Sequence, residues 1–253
     1  MTPLVGTSLK MNLTSSEARV YFDALRPLLA RVHGCELFVL PPFTSLWVAR
    51  ERLARSNIAW GAQDVHADDS GAHTGDVSAS MLTDLGCTFV EVGHSERRRD
   101  HSETDERVAA KVRQILRHRM TPIMCVGELT KATVASGLAQ VLPQVRAGLK
   151  HVPPAERSRV VIAYEPVWAI GEGSTPAEPD HVAAVHRGIH EFMLSTAAGG
   201  VDCRVIYGGS VDPETAGPLL DQAGVDGLFV GRAALDPVRF AAIAAAAETL
   251  AAP

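Results

Sequence analysis

Aromatic side chains make up 5% of this 253-residue chain. A sugar-cleaving cleft normally rests its rings on aromatic platforms, and so few aromatics supply it poorly. Cysteine is sparse too: Cys35, Cys87, Cys125 and Cys203 lie far apart in the sequence, three of them in or beside apolar runs. That pattern predicts reduced, buried thiols rather than a disulfide framework. With a net charge of -5 there is no basic excess to grip a phosphodiester backbone, which excludes nucleic acid as a partner. No cationic stretch leads into an apolar one near Met1, and the alanine-rich tail from Ala241 is broken by Glu248. Neither an export signal nor a membrane span is therefore expected, and the protein reads as cytoplasmic. No G-x-G-x-x-G follows the first apolar run, so the dinucleotide-binding sheet loses its usual signature. His186 and His190 stand one helical turn apart, but no acidic residue follows the first. They read as a solvated helix face, and no metal is expected.

Hydrophobic residues make up 46% and charged residues 21%, the balance of a globular protein. Short apolar runs recur: Leu4 to Gly6, Leu37 to Leu40, Ile58 to Gly61, Phe89 to Val92, Pro122 to Val126, Val160 to Ala163, Val205 to Gly208 and Leu228 to Val230. Each precedes a stretch of helical periodicity, around Ser16 to Val32, Ser45 to Ala54, Ala79 to Leu85, Glu103 to His118, Thr133 to Lys150, Asp180 to Thr196, Pro213 to Gln222 and Pro237 to Ala247. Eight alternating pairs without a Pro- or Ser-rich linker predict an α/β fold, a closed parallel (β/α)8 barrel forming one domain over residues 1–253. The open, doubly wound sheet is the competing architecture.

In a barrel, reactive groups belong where strands end and the next loops begin. Lys10 follows the first run, His94 the fourth, Glu165 the sixth, Gly208-Gly209-Ser210 the seventh and Gly231-Arg232 the eighth. Singly these read as a surface charge, a core-edge imidazole and simple turns; together they point to one mouth of a barrel. After Glu165, Pro166 fixes the exit of the chain, and Gly171 and Gly173 supply permissive backbone beyond Val167-Trp168-Ala169, the layout of a stiff apolar lid between hinges. Proton abstraction beside a carbonyl needs a carboxylate base, a donor to polarise the oxygen and a positive group for the developing anion. Glu165, His94 and Lys10 are those residue types. Backbone N–H groups at Gly171, Ser210 and the Gly231-Arg232 turn suit a phosphate dianion, so the expected partner is a small phosphorylated sugar.

Lys10-Met11-Asn12, Val92 to Arg98, Cys125 to Glu128, Ala163 to Gly173, Tyr207 to Val211 and Asp226 to Gly231 together resemble the signature segments of the triosephosphate isomerase family, nearly end to end. The resemblance implies a TIM barrel and a cofactor-free, metal-free isomerase of glycolysis and gluconeogenesis that works as a homodimer. It implies Glu165 as base, His94 as electrophile and Lys10 as electrostatic anchor, with Glu96 and Cys125 in support. Gly171, Ser210 and Gly231 match the family's phosphate grip. The segment from Gly61 through Asp76 resembles its protruding loop, which carries Thr74 toward a partner's site.

The chain departs from that pattern in places. Ser8 stands where the family has a substrate-contacting asparagine, Leu9 where it has tryptophan, and Arg232 where a second glycine is usual. Glu172 and Ser174 replace the common lid residues. A shorter residue at position 8 implies room for a ketose one carbon longer, and the Gly-Thr-Ser opening with a Gly-Arg ending resembles the branch that isomerises L-erythrulose 1-phosphate in erythritol catabolism. Two readings of other classes stand beside these: a retaining glycosidase using Glu96 and Glu165, and a non-catalytic barrel that senses phosphosugars.

Overall fold

The β-branched and aromatic runs form eight strands in a computed structural model that describes residues 2–171 and 175–248. They are β1 (Leu4–Ser8), β2 (Glu36–Leu40), β3 (Ile58–Ala62), β4 (Phe89–Val92), β5 (Thr121–Val126), β6 (Val161–Tyr164), β7 (Val205–Tyr207) and β8 (Gly227–Val230). Each pairs in parallel with the next, and β1 also pairs with β8, from Leu4 against Gly227 to Thr7 against Val230. The sheet therefore closes on itself and has no free edge. The open doubly wound alternative is excluded by that closure.

Among the described residues nine α-helices surround the barrel: α1 (Ser15–Leu29), α2 (Leu46–Leu53), α3 (Ala79–Asp84), α4 (Ser95–His101), α5 (Asp105–Arg117), α6 (Val134–Gly148), α7 (Pro179–Leu194), α8 (Pro213–Leu220) and α9 (Pro237–Ala246). Eight fall on the periodic segments. The ninth, α4, buries none of its residues, so no apolar stripe announces it. The neighbouring α5 shows the usual logic. Thr104 caps its first turn, and Val108, Val112 and Ile115 recur at helical spacing and are fully buried or nearly so. Each such burial contributes about 1.5–3 kcal/mol.

Period-two alternation sends one face of every strand inward. Leu4, Phe38, Leu40, Ile123, Cys125, Val161, Ala163, Ile206 and Phe229 pack into a core inside the barrel, separate from the larger one under the helices. Phe38 fills the lumen, stacked 5.0 Å from Phe89, and occupies space that a Cβ on Gly6 would invade at 2.1 Å. This floor makes the barrel a plug rather than a pore and leaves only the mouth above it for a ligand.

Cys87, Cys125 and Cys203 are buried, Cys35 is half-buried, and all four are free thiols. The histidine pair on α7 departs from the expectation of a solvated face. His186 is fully buried with Nδ1 3.0 Å from the carbonyl of Gly224. His190 lies 3.2 Å from Asp226 and 2.8 Å from Asp202, and those carboxylates, Asp226 first, push its pKa up to about 9. The helix face they share lies against the loops before β7 and β8, which sequence spacing alone does not reveal.

Candidate active site

Strand β1 ends in an unusual turn. Lys10, two residues past Ser8, has φ of 52°, left-handed backbone that lysine seldom adopts. Gln63, just beyond β3, holds it there by donating its amide to the carbonyls of Lys10 at 3.0 Å and Leu40 at 2.9 Å. The ammonium thus set over the mouth donates to Glu96 at 2.8 Å. Burial lowers the pKa of Lys10, but the bond to Glu96 and the nearby carboxylates Glu165 and Glu91 outweigh it and leave the group above its ordinary value.

His94 caps α4. Its Nδ1 accepts the backbone N–H of Glu96 at 3.1 Å, so in the neutral ring the proton sits on Nε2. Burial, then the Lys10 ammonium, holds the imidazole pKa below its usual value, so the ring is neutral at physiological pH. Nε2 faces Glu165 Oε2 at 3.5 Å, while Nδ1 lies 3.5 Å from Glu96. The two carboxylates therefore flank the imidazole instead of facing each other across an open gap, an arrangement unlike a glycosidase pair. The turn beneath is braced by residues that carry no motif: Glu103 accepts from the Gly93 N–H at 3.0 Å and pairs with Lys111, which also reaches Asp64 at 2.6 Å.

Glu165 leaves β6 with its N–H on the Val126 carbonyl at 2.8 Å. The residue is 5% exposed, and Oε2 makes no hydrogen bond among the described residues. Two glycines give it room. A Cβ on Gly208 would sit 2.7 Å from its Cγ, and one on Gly127 would meet its carbonyl at 1.9 Å. Burial first, then the charge of Glu91, raises its pKa well above the ordinary carboxylate value. Beyond it, the single turn of 3-10 helix at Val167–Ala169 is anchored at both sides. Trp168 donates its indole N–H to the buried Glu128 at 2.7 Å, and Ser210 donates its hydroxyl to the Ala169 carbonyl at 2.9 Å. Gly171 is exposed, whereas Glu172, Gly173 and Ser174 lie outside the described residues.

A cavity of about 690 Å³ opens over the lumen core and is lined by Lys10, His94, Glu165, Ser210, Gly231 and Arg232, with Ser8, Glu96 and Gly171 also on its wall. Cys125 lies beneath, its thiol 3.8 Å from Glu91. The residues placed at strand ends by sequence spacing thus meet around one space. Thr74 does not: it is exposed on the loop of residues 63–78, between β3 and α3, and lines neither this cavity nor the adjoining one of about 560 Å³ beside Met11 and Phe43.

Glu91 is the residue that sequence spacing overlooks. It sits in mid-strand on β4, turned inward two residues after Phe89, 2% exposed, with Oε2 accepting the Ser8 hydroxyl at 2.7 Å. One of its oxygens, a ring nitrogen of His94 and a carboxylate oxygen of Glu165 all lie within 4.8 Å of one another. Burial first of all lifts its pKa, as it does for Glu165. An acid at an inward position of a four-residue apolar strand was the available signal. Ser8 does not simply vacate space, because its hydroxyl is tied to this carboxyl.

The family model for triosephosphate isomerase matches residues 3–247. A triosephosphate isomerase of Thermus thermophilus is 45% identical over 95% of this chain and 96% of its own length. An L-erythrulose-1-phosphate isomerase of Rhizobium meliloti is 43% identical over 92% of this chain and 91% of its own. The crystal structure of triosephosphate isomerase from Bartonella henselae superposes with a TM-score of 0.83 at 34% identity, covering 98% of this chain and all of that one. With its closed barrel and these relatives across nearly its whole length, the chain belongs to the triosephosphate isomerase family of isomerases.

Proposed function

We propose that residues 1–253 act as one catalytic domain that interconverts D-glyceraldehyde 3-phosphate and dihydroxyacetone phosphate. The observation that carries this reading is a neutral imidazole, its proton fixed on Nε2, beside a buried carboxylate with a free oxygen and an ammonium on the same wall. Glu165 takes the proton from the carbon next to the carbonyl, breaking that C–H bond while the electron pair forms a carbon–carbon double bond. His94 Nε2–H polarises the carbonyl oxygen, and the Lys10 ammonium stabilises the negative charge that grows there. Glu165 then returns the proton to the neighbouring carbon, and the oxygens exchange theirs through His94. The balance needs no oxidant, reductant or cofactor.

In this reading Gly171, Ser210 and Gly231 hold the phosphate through backbone N–H groups, and the Arg232 guanidinium adds charge at the same rim. Glu96 positions Lys10 and His94, and Cys125 packs under the two carboxylates. Turnover of glyceraldehyde 3-phosphate in deuterated water tests the reaction directly: product carrying deuterium at the carbon that gains the proton is the expected result. Inertness would sink the assignment.

The same proton chemistry fits L-erythrulose 1-phosphate, in which the carbonyl moves from the second to the third carbon. The observation favouring that second reading is the buried Ser8–Glu91 pair on the wall of the cavity.

A homodimer completes the site in this proposal, and the cytoplasm is where we place it. Met11 is 97% exposed beside the 560 Å³ cavity, whose wall includes Lys10, Asn12 and Glu96. The loop 63–78 of a second copy, exposed over residues 70–76 around Thr74, is the element to fill it. Met11→Asp is expected to yield monomers by light scattering and to lower turnover about tenfold or more, as the loops around Lys10 lose support. Monomers with full turnover would overturn this reading.

A further inference from the structure

We propose that Glu91, held by Ser8, is a specificity-determining residue that binds the terminal hydroxyl of a four-carbon ketose phosphate, so that the site accepts this sugar beside the triose. This rests on the isomerase reading above. A substrate lying in the cavity has its phosphate toward Ser210, Gly231 and Arg232 and its reacting carbons between Glu165 and His94. A four-carbon ketose 1-phosphate differs from the triose by a hydroxymethyl group on the reacting carbon farther from phosphate. That group has to lie on the side of the reacting carbons away from the phosphate turns after β7 and β8, which is the side of β4, and Glu91 of β4 lines the wall together with the Ser8 that holds it.

The distances suit it. Glu91, His94 and Glu165 present polar atoms within 4.8 Å of each other, so a carbon poised between base and imidazole places its substituent beside Glu91. A hydroxymethyl group with one hydrogen bond of about 2.7 Å spans such a gap. Glu91 also has acceptor capacity to spare. Oε2 takes the Ser8 hydroxyl, but among the described residues Oε1 has only the Cys125 thiol at 3.8 Å, and a thiol is a weak donor. Among the described residues no cationic side chain forms an ion pair with this carboxyl, 2% exposed on an otherwise apolar strand. Barrel lumens are ordinarily filled by branched apolar residues, and an acid there is costly unless a ligand gives it work.

The alternation of β4 fixes this orientation. Phe89 and Glu91 point inward, Val90 and Val92 outward under the helices, so the carboxyl cannot turn to solvent without moving the strand that carries His94. Ser8 is the matching half of the device. Its single hydroxyl is short enough to leave the space above Glu91 open and donates to the oxygen that the substrate does not need.

The test compares kcat/KM for L-erythrulose 1-phosphate, followed by NMR, with that for glyceraldehyde 3-phosphate in the wild type, Glu91→Leu and Glu91→Gln. Leu fills the lumen with an apolar side chain of similar size, a change cores accept readily, and is expected to lower the four-carbon to triose ratio about tenfold or more. Gln keeps donors and acceptors for both the hydroxyl and Ser8 and is expected to hold the ratio within about threefold of wild type. A purely structural Glu91 would alter both sugars alike and leave the ratio unmoved, which would overturn the inference, as would a wild type that turns over the triose but not the four-carbon sugar. Inertness toward both sugars would instead remove the isomerase reading itself.

Discussion

Shortening Glu165 to Asp is expected to leave substrate affinity near that of the wild type while cutting kcat about a hundredfold. The backbone at this position is fixed by its bond to the Val126 carbonyl and by close packing against Gly127 and Gly208, so the strand cannot follow a shorter side chain outward. The carboxylate would retreat by about 1 Å from the carbon it must deprotonate, and a displacement of that size is enough to cost two orders of magnitude. The pH profile makes a second demand. In the proposed reaction Glu165 works as the anion, and its pKa in the barrel is raised above the ordinary value of 4.5 by burial and then by Glu91. Activity should therefore be lost as pH falls through a midpoint above 4.5, and kcat/KM measured across pH checks it. Unchanged kcat in the Asp variant would show that another group takes the proton.

Replacing His94 with Gln is expected to lower kcat about 10²- to 10³-fold while inorganic phosphate still competes with its wild-type inhibition constant. Gln keeps a neutral N–H donor but loses the ring nitrogen that accepts the Glu96 N–H, so nothing pins that donor toward the carbonyl. The phosphate turns lie at the ends of β7 and β8 and do not depend on it. Steady-state kinetics with phosphate inhibition separates the two effects. A variant that loses phosphate affinity at constant kcat would make His94 a clamp instead of an electrophile.

Much of this was legible in the sequence because a barrel advertises itself by alternation, and a strand end followed by a polar residue has only one place to go. Lys10, His94 and Glu165 are far apart in the chain, yet closure of eight parallel strands brings them to one rim. What stayed hidden has physical causes. The helix α4 buries nothing, so it lacks periodicity, although it supplies the N–H that fixes the His94 tautomer. Glu91 is silent because a glutamate within Phe-Val-Glu-Val has no local partner, and Ser8 meets it only across a sequence separation of 83 positions. The bracing of Gly93 by Glu103, and of Glu103 by Lys111, is electrostatic and joins residues 10 and 8 positions apart, with no apolar period to betray it.

The left-handed turn at Lys10 sets stability against activity at a single residue. A lysine in that conformation stores about 1–3 kcal/mol, which glycine would release. Selection for a hardier fold alone would thus favour glycine at position 10, at the loss of the ammonium that the proposed reaction uses.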